Sequence, residues 1–84
     1  MNHQLLIHLR SVEGALVRTL GLVERRGYVT QRVSAVPVGS HTTMLQLTVN
    51  AQRPIEKLIH QLRKLYDVQH VEITTPRVVR RTVF

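Results

Sequence analysis

The stretch Pro54-Ile55-Glu56-Lys57-Leu58-Ile59-His60-Gln61-Leu62-Arg63-Lys64-Leu65-Tyr66-Asp67, followed by Val68-Gln69-His70-Val71-Glu72-Ile73-Thr74, decides the fold class. Its first part repeats apolar side chains at Ile55, Leu58, Ile59, Leu62, Leu65 and Tyr66, the three- and four-residue spacing of one helix face. Glu56, Lys57, His60, Gln61, Arg63 and Lys64 take the wet face. Pro54 suits the first helical position, where a missing N–H costs nothing. Past Asp67 the period changes to two, and Val71 and Ile73 are expected to point inward from a strand over Val68–Thr74.

Upstream, Met44 to Asn50 alternates as a strand with Leu45, Leu47 and Val49 inward and Gln46 and Thr48 outward. Val38-Gly39-Ser40-His41 reads as a turn before it. Tyr28 to Val38, rich in Val, Thr and Tyr, reads as another strand. Its alternation changes parity, which a bulge near Gln31-Arg32 reconciles, and both the bulge and Pro37 favour a sheet edge. A helix is predicted from Val12 to Arg26, with Val12, Leu16, Thr19, Leu20 and Val23 on one stripe. Ser11 is its candidate N-cap, Glu13 its first-turn acid and Gly27 its stop signal. Gly14 and Gly21 inside it cost about 1 kcal/mol each against Ala, which points to close packing there. Leu5, Ile7 and Leu9 form the inward side of a first strand, with Leu6 and His8 opposite.

The order β-α-β-β-α-β predicts an α+β, ferredoxin-like sandwich: a four-stranded antiparallel sheet with two helices on one face. Its core is thin, roughly twenty apolar side chains. One sheet face and an edge strand are left open, so a homodimer or a partner subunit is expected. The domain is expected over residues 1–75. Residues 76–84 form a basic tail, irregular or ordered by a partner.

The chain has 84 residues, twelve Lys+Arg against five Asp+Glu, and no cysteine. A chain this short holds one core. Without cysteine there is no disulfide scaffold, thiolate zinc site or thiol nucleophile. No apolar run approaches the ~20 residues of a membrane span, and the start Met1-Asn2-His3-Gln4 lacks a signal-peptide layout. A cytoplasmic location is expected. The formal charge of +7 invites a nucleic-acid reading. However, Arg77, Arg80 and Arg81 lie in the tail, and Arg25-Arg26 and Arg63-Lys64 lie near predicted helix ends, where cations complement the macrodipole. Solvated surface charge is the preferred reading.

Two segments carry a resemblance. His8-Leu9-Arg10-Ser11-Val12-Glu13-Gly14-Ala15-Leu16, with Leu20 and then Glu24-Arg25-Arg26-Gly27-Tyr28, resembles an ACT domain. More closely, it resembles the small regulatory subunits of acetolactate synthase (acetohydroxyacid synthase). Gln61-Leu62-Arg63-Lys64-Leu65-Tyr66-Asp67-Val68-Gln69-His70-Val71 is similar to that family's Gln-Leu-x-Lys-Leu-x-Asp-Val-x-x-Val signature. The resemblance covers about residues 4–75, and the short length matches the compact isozyme II type.

It implies a noncatalytic regulatory or activating subunit in branched-chain amino-acid biosynthesis, bound to a large catalytic subunit. Thiamine diphosphate, magnesium and FAD would reside on that partner, with none on this chain. It also implies that Ser11, Val12, Glu13, Gly14, Ala15 and Leu16 form the effector-binding loop, whose N–H groups can hold an amino-acid carboxylate at a dimer interface. Where the family pattern is approximately Asn-Glu-Pro-Gly-Val-Leu, this chain has Ser11 for the Asn, Val12 for the Glu, Glu13 for the Pro and Ala15 for the Val. The lost amide removes a donor and an acceptor, and Glu13 opposes a carboxylate. Activation of the partner therefore fits better than feedback by valine, and simple helix capping by this loop stays an open alternative.

Other chemistry is sparse. His3, His8, His41, His60 and His70 contain no His-x-x-x-His pair. His8 and His70 can become neighbours on the open sheet face, but with no acidic cluster expected nearby they read as ordinary polar-face residues. No paired carboxylates, nucleophile elbow or phosphate loop occurs, so neither a catalytic nor a metal-ligating residue is assigned. The rival reading is a basic, ferredoxin-like RNA-binding module. Such a module stacks bases on exposed aromatics of the central strands, whereas Tyr28 is expected inward, Tyr66 on the helix stripe and Phe84 in the tail.

Overall fold

The computed structural model describes residues 2–74; the basic tail over 76–84 lies outside the described residues. The element order is β1 (Asn2–Arg10), α1 (Ala15–Arg25), β2 (Val29–Val38), β3 (Thr42–Asn50), α2 (Ile55–Leu62) and β4 (Val68–Thr74). The strands form one antiparallel sheet in the order β2-β3-β1-β4. The βαββαβ sandwich expected from the sequence is the fold of the chain.

Strand alternation places the core. Leu5, Ile7 and Leu9 of β1, Leu45, Leu47 and Val49 of β3 and Val71 of β4 are buried together. Leu22 and Val23 of α1 and Ile55, Leu58, Ile59 and Leu62 of α2 close over them, with Leu16, Leu20 and Leu65 packed at the margin. The bulge in β2 falls between Thr30 and Arg32, where its register against β3 shifts. β2 is an edge strand, which tolerates that shift and Pro37. Gly27 follows the Arg26 C-cap with φ +86°, the left-handed stop that the sequence signals.

Several local readings are corrected. Helix α1 begins at Ala15, not Val12, and its N-cap is Gly14 at φ +82°, with no side-chain cap. Ser11 does not cap the helix because its hydroxyl lies 2.7 Å from Thr43 Oγ1 across to β3. Val12 therefore sits in the loop, 47% exposed, and Glu13 precedes the first turn rather than occupying it. The buried stripe of α1 is Ala15, Thr19, Leu22 and Val23. Gly21 is not packed on a neighbouring backbone; its close neighbour is the Arg25 side chain one turn later.

Helix α2 ends at Leu62, and Pro54 is its N-cap rather than its first residue. Tight turns then carry the chain to β4, with Lys64 N donating to Gln61 O and Leu65 N to Leu62 O. These turns rotate Tyr66 away from the helix stripe, leaving it 77% exposed. Ile73 shares the inward side with Leu5, its register partner, yet is 48% exposed. It lies on the outer edge strand β4, where one flank has no neighbour.

Candidate functional site

The loop between β1 and α1 is built by contacts from both sides of the sheet. Ser11 N donates to His41 O at 2.9 Å, and the Ser11–Thr43 hydroxyl contact repeats the tie to β3. Val12 N donates to Arg10 O, and Ala15 N closes a turn onto Val12 O. From the other side, Arg10 N donates to Asp67 O at 2.8 Å, just before β4. The Arg10 Nε donates to Tyr66 O at 3.0 Å, and its guanidinium lies 4.6 Å from the centre of the Tyr66 ring.

Arg18, in the first turn of α1, organises the loop from beneath. Its Nε donates to Asp67 Oδ2 at 2.7 Å and its Nη2 donates to Glu13 O at 3.1 Å. Asp67 is buried while the Arg18 side chain is about half exposed. The hydrogen bond from Arg18 holds the Asp67 carboxyl below the usual aspartate range, against the opposing effect of desolvation, and the positive charges of Arg18 and Arg10 add to it. The same bond raises Arg18. A Cβ on Gly14 would sit 2.5 Å from Arg18 Nη1, so position 14 needs glycine both for its left-handed backbone and for the guanidinium beside it.

The structure thus brings Ser11, Val12, Glu13, Gly14, Ala15 and Leu16 into one turn and helix start. The N–H groups of Ser11, Val12 and Ala15 are already engaged. Those of Leu16 and Val17, in the first turn, have no acceptor within the described residues, as expected at a helix start without a side-chain cap. Val12 and Val17, the latter 75% exposed, flank them. Sequence reading missed Arg18 and the buried role of Asp67. The available signal was an aspartate beside an apolar strand start, which demands a paired cation when buried.

The opposite sheet face carries Leu6, His8, Met44 and Gln46 on its two central strands. His8 and His70 are register partners, with rings 5.3 Å apart and edge-on. A single acid, Glu72, stands beside them, its Oε2 3.3 Å from His70 Nε2 and 3.9 Å from His8 Nε2. Among the described residues no group of three or more His, Asp or Glu side chains is arranged to hold a metal ion. No helix among them is long and apolar enough to cross a membrane.

A family model described as the ACT domain matches residues 11–71. The acetolactate synthase isozyme 2 small subunit of Escherichia coli K12 is 34% identical, covering 95% of this chain and 98% of that relative. The chain belongs to the ACT-domain family, among acetolactate synthase small subunits. This ACT domain is of the small-subunit rather than the catalytic-subunit kind. The acetolactate synthase small subunit of Buchnera aphidicola is also 34% identical, over 84% of this chain but 46% of that protein. Among solved structures, the acetolactate synthase small subunit from Thermotoga maritima superposes with a TM-score of 0.81 at 20% identity, covering 90% of this chain and 48% of that one. The ACT domain of a Chlorobium tepidum GTP pyrophosphokinase gives 0.76 at 14% identity, over 88% of this chain and 97% of that one. At such identities the superpositions speak for the ACT fold alone.

Proposed function

We propose that this ACT domain is the noncatalytic subunit that binds and activates a thiamine-diphosphate-dependent acetolactate synthase large subunit in branched-chain amino-acid biosynthesis. The observation that carries it is the 34% identity running through 95% of this chain and 98% of the E. coli isozyme 2 small subunit. Thiamine diphosphate, magnesium and FAD belong on the large subunit in this reading, and the complex works in the cytoplasm. In the same reading the domain extends to residue 75, with the basic tail of 76–84 irregular or ordered by the partner.

The subunit acts by binding the active conformation of the large subunit more tightly than the inactive one. The loop of Ser11 to Leu16 is its effector or partner contact, offering the open N–H groups of Leu16 and Val17 beside Val12 and Val17. Ser11 is committed to Thr43, and Glu13 repels carboxylate, so partner activation outweighs amino-acid sensing. Self-association through the β2 edge is favoured by Val29, Val33, Val36 and Val38, all exposed along one ten-residue border strand. The RNA reading has no comparable support, since the outward residues of the central strands include no Phe, Tyr or Trp, and the His8 ring packs edge-on to His70.

Reconstitution tests the proposal. The purified chain added to its large subunit should raise synthase activity and co-elute with it. Unchanged activity together with separate elution would remove the regulatory reading.

A further inference from the structure

At the end of the domain opposite the Ser11–Leu16 loop, a cavity of about 630 Å³ opens between the close of α1 and the start of α2. That size falls within the roughly 300–1,000 Å³ of small-ligand sites. Its exposed apolar surface is Pro54, fixed from below by the buried Tyr28, whose OH donates to Pro54 O at 2.9 Å. Its rim is basic, formed by Arg26, Arg53 and Lys57.

Two of these cations are positioned by neutral neighbours. Arg26 Nη2 donates to Gln61 Oε1 at 3.1 Å. The Arg53 guanidinium lies over Gly27, where a Cβ would come within 3.3 Å of its Cζ and Nη2. Among the described residues, the carboxylates in contact with a basic side chain are Asp67, with Arg18, and Glu72, with His8 and His70, so none of the three rim cations is neutralised by a carboxylate. Glu56 is the one acid lining the cavity, leaving cations in excess around Pro54.

We propose that this cavity binds a small organic anion, its carboxylate or phosphate head held by Arg26, Arg53 and Lys57 and its short apolar body against Pro54 and the aliphatic stem of Lys57. Oriented cations that lack a protein anion supply the charge-assisted hydrogen bonds, and guanidinium groups suit either head group. Covering the exposed Pro54 ring and Lys57 stem rewards an apolar body in a way that scattered surface lysines do not. The site is separate from the Ser11–Leu16 loop and does not depend on the large-subunit reading.

The test is amide NMR titration of the full chain with 4-methylpentanoate, phenyl phosphate and inorganic phosphate, at low and at physiological salt. Saturable shifts at Arg26, Tyr28, Arg53 and Lys57 are expected with one or both organic probes, and the stronger one identifies the head group. Inorganic phosphate, lacking a body, should bind about tenfold more weakly. Arg53→Gln and Lys57→Gln, both at exposed positions, should each weaken the better probe about tenfold with an unchanged far-UV spectrum. The proposal is overturned by shifts confined to residues 11–17, by the absence of saturable shifts, or by equal binding of all three anions that vanishes at physiological salt.

Discussion

Arg18 Nε donates to Asp67 Oδ2 at 2.7 Å, joining the first turn of α1 to the turn before β4 across 49 positions of sequence. With Arg18 Nη2 on Glu13 O, one guanidinium fixes the β1–α1 loop and satisfies a buried carboxylate together.

This pair makes stability depend on acid pH. Asp67 titrates lower in the folded chain than when unfolded, so the unfolded state binds its proton first as pH falls. The contribution is complete above the unfolded value of about 3.9 and is lost as pH drops through the folded value. Urea unfolding at pH 7, 4 and 3 should show a falling midpoint, with a shallower fall in Asp67→Asn. Equal slopes in the two proteins would remove Asp67 as the cause.

Gly14→Ala should destabilise the domain more than Gly39→Ala. Both glycines have similar positive φ, so each substitution carries a backbone cost of about 1–2 kcal/mol. At Gly39 a Cβ meets nothing within 4 Å, whereas at Gly14 it strikes Arg18 Nη1. Thermal unfolding of both variants isolates the Arg18 contact, and matching losses would contradict it.

Leu58→Ala should cost about 2–5 kcal/mol, since its side chain is fully buried beneath α2. Val17→Ala, on the exposed side of α1, should stay within about 0.5 kcal/mol. Denaturant midpoints at constant slope give both values. If the large subunit docks on the Ser11–Leu16 loop, Val17→Ala will still weaken activation.

Calorimetry with valine, leucine and isoleucine should give little or no heat. Half of the loop's N–H groups are engaged, the Ser11 hydroxyl is held by Thr43, and Glu13 carries the wrong charge. Stoichiometric valine binding would restore the loop as an amino-acid sensor.

If the chain self-associates through β2 as proposed, Val33→Lys with Val36→Lys should shift it from dimer to monomer in sedimentation. Charges on an open border strand oppose edge-to-edge pairing, and both positions are exposed on β2. A dimer of unaltered stability would locate self-association elsewhere.

Much of this was legible without coordinates. The stripe from Ile55 to Leu62, the alternations around Leu5–Leu9 and Leu45–Val49, the stop at Gly27 and the bulge before Arg32 depend on neighbours a few residues away. The six loop residues at the β1–α1 junction are legible as one segment, but the periodicity starts α1 at Val12, three residues before Ala15. Ser11 is drawn to Thr43, and no local rule anticipates a contact 32 positions distant.

The sequence by itself determined the order of elements and which side of each faces the core, because hydrophobic periodicity is written in adjacent residues. Only the tertiary structure decided that Asp67 is buried on Arg18, that Tyr66 turns outward under Arg10, and that Glu72 joins His8 and His70. It also decided that Arg26, Arg53 and Lys57 meet around one cavity. Each depends on strand register or on where a helix ends, and those are fixed by packing between distant segments rather than by the pattern within any one of them.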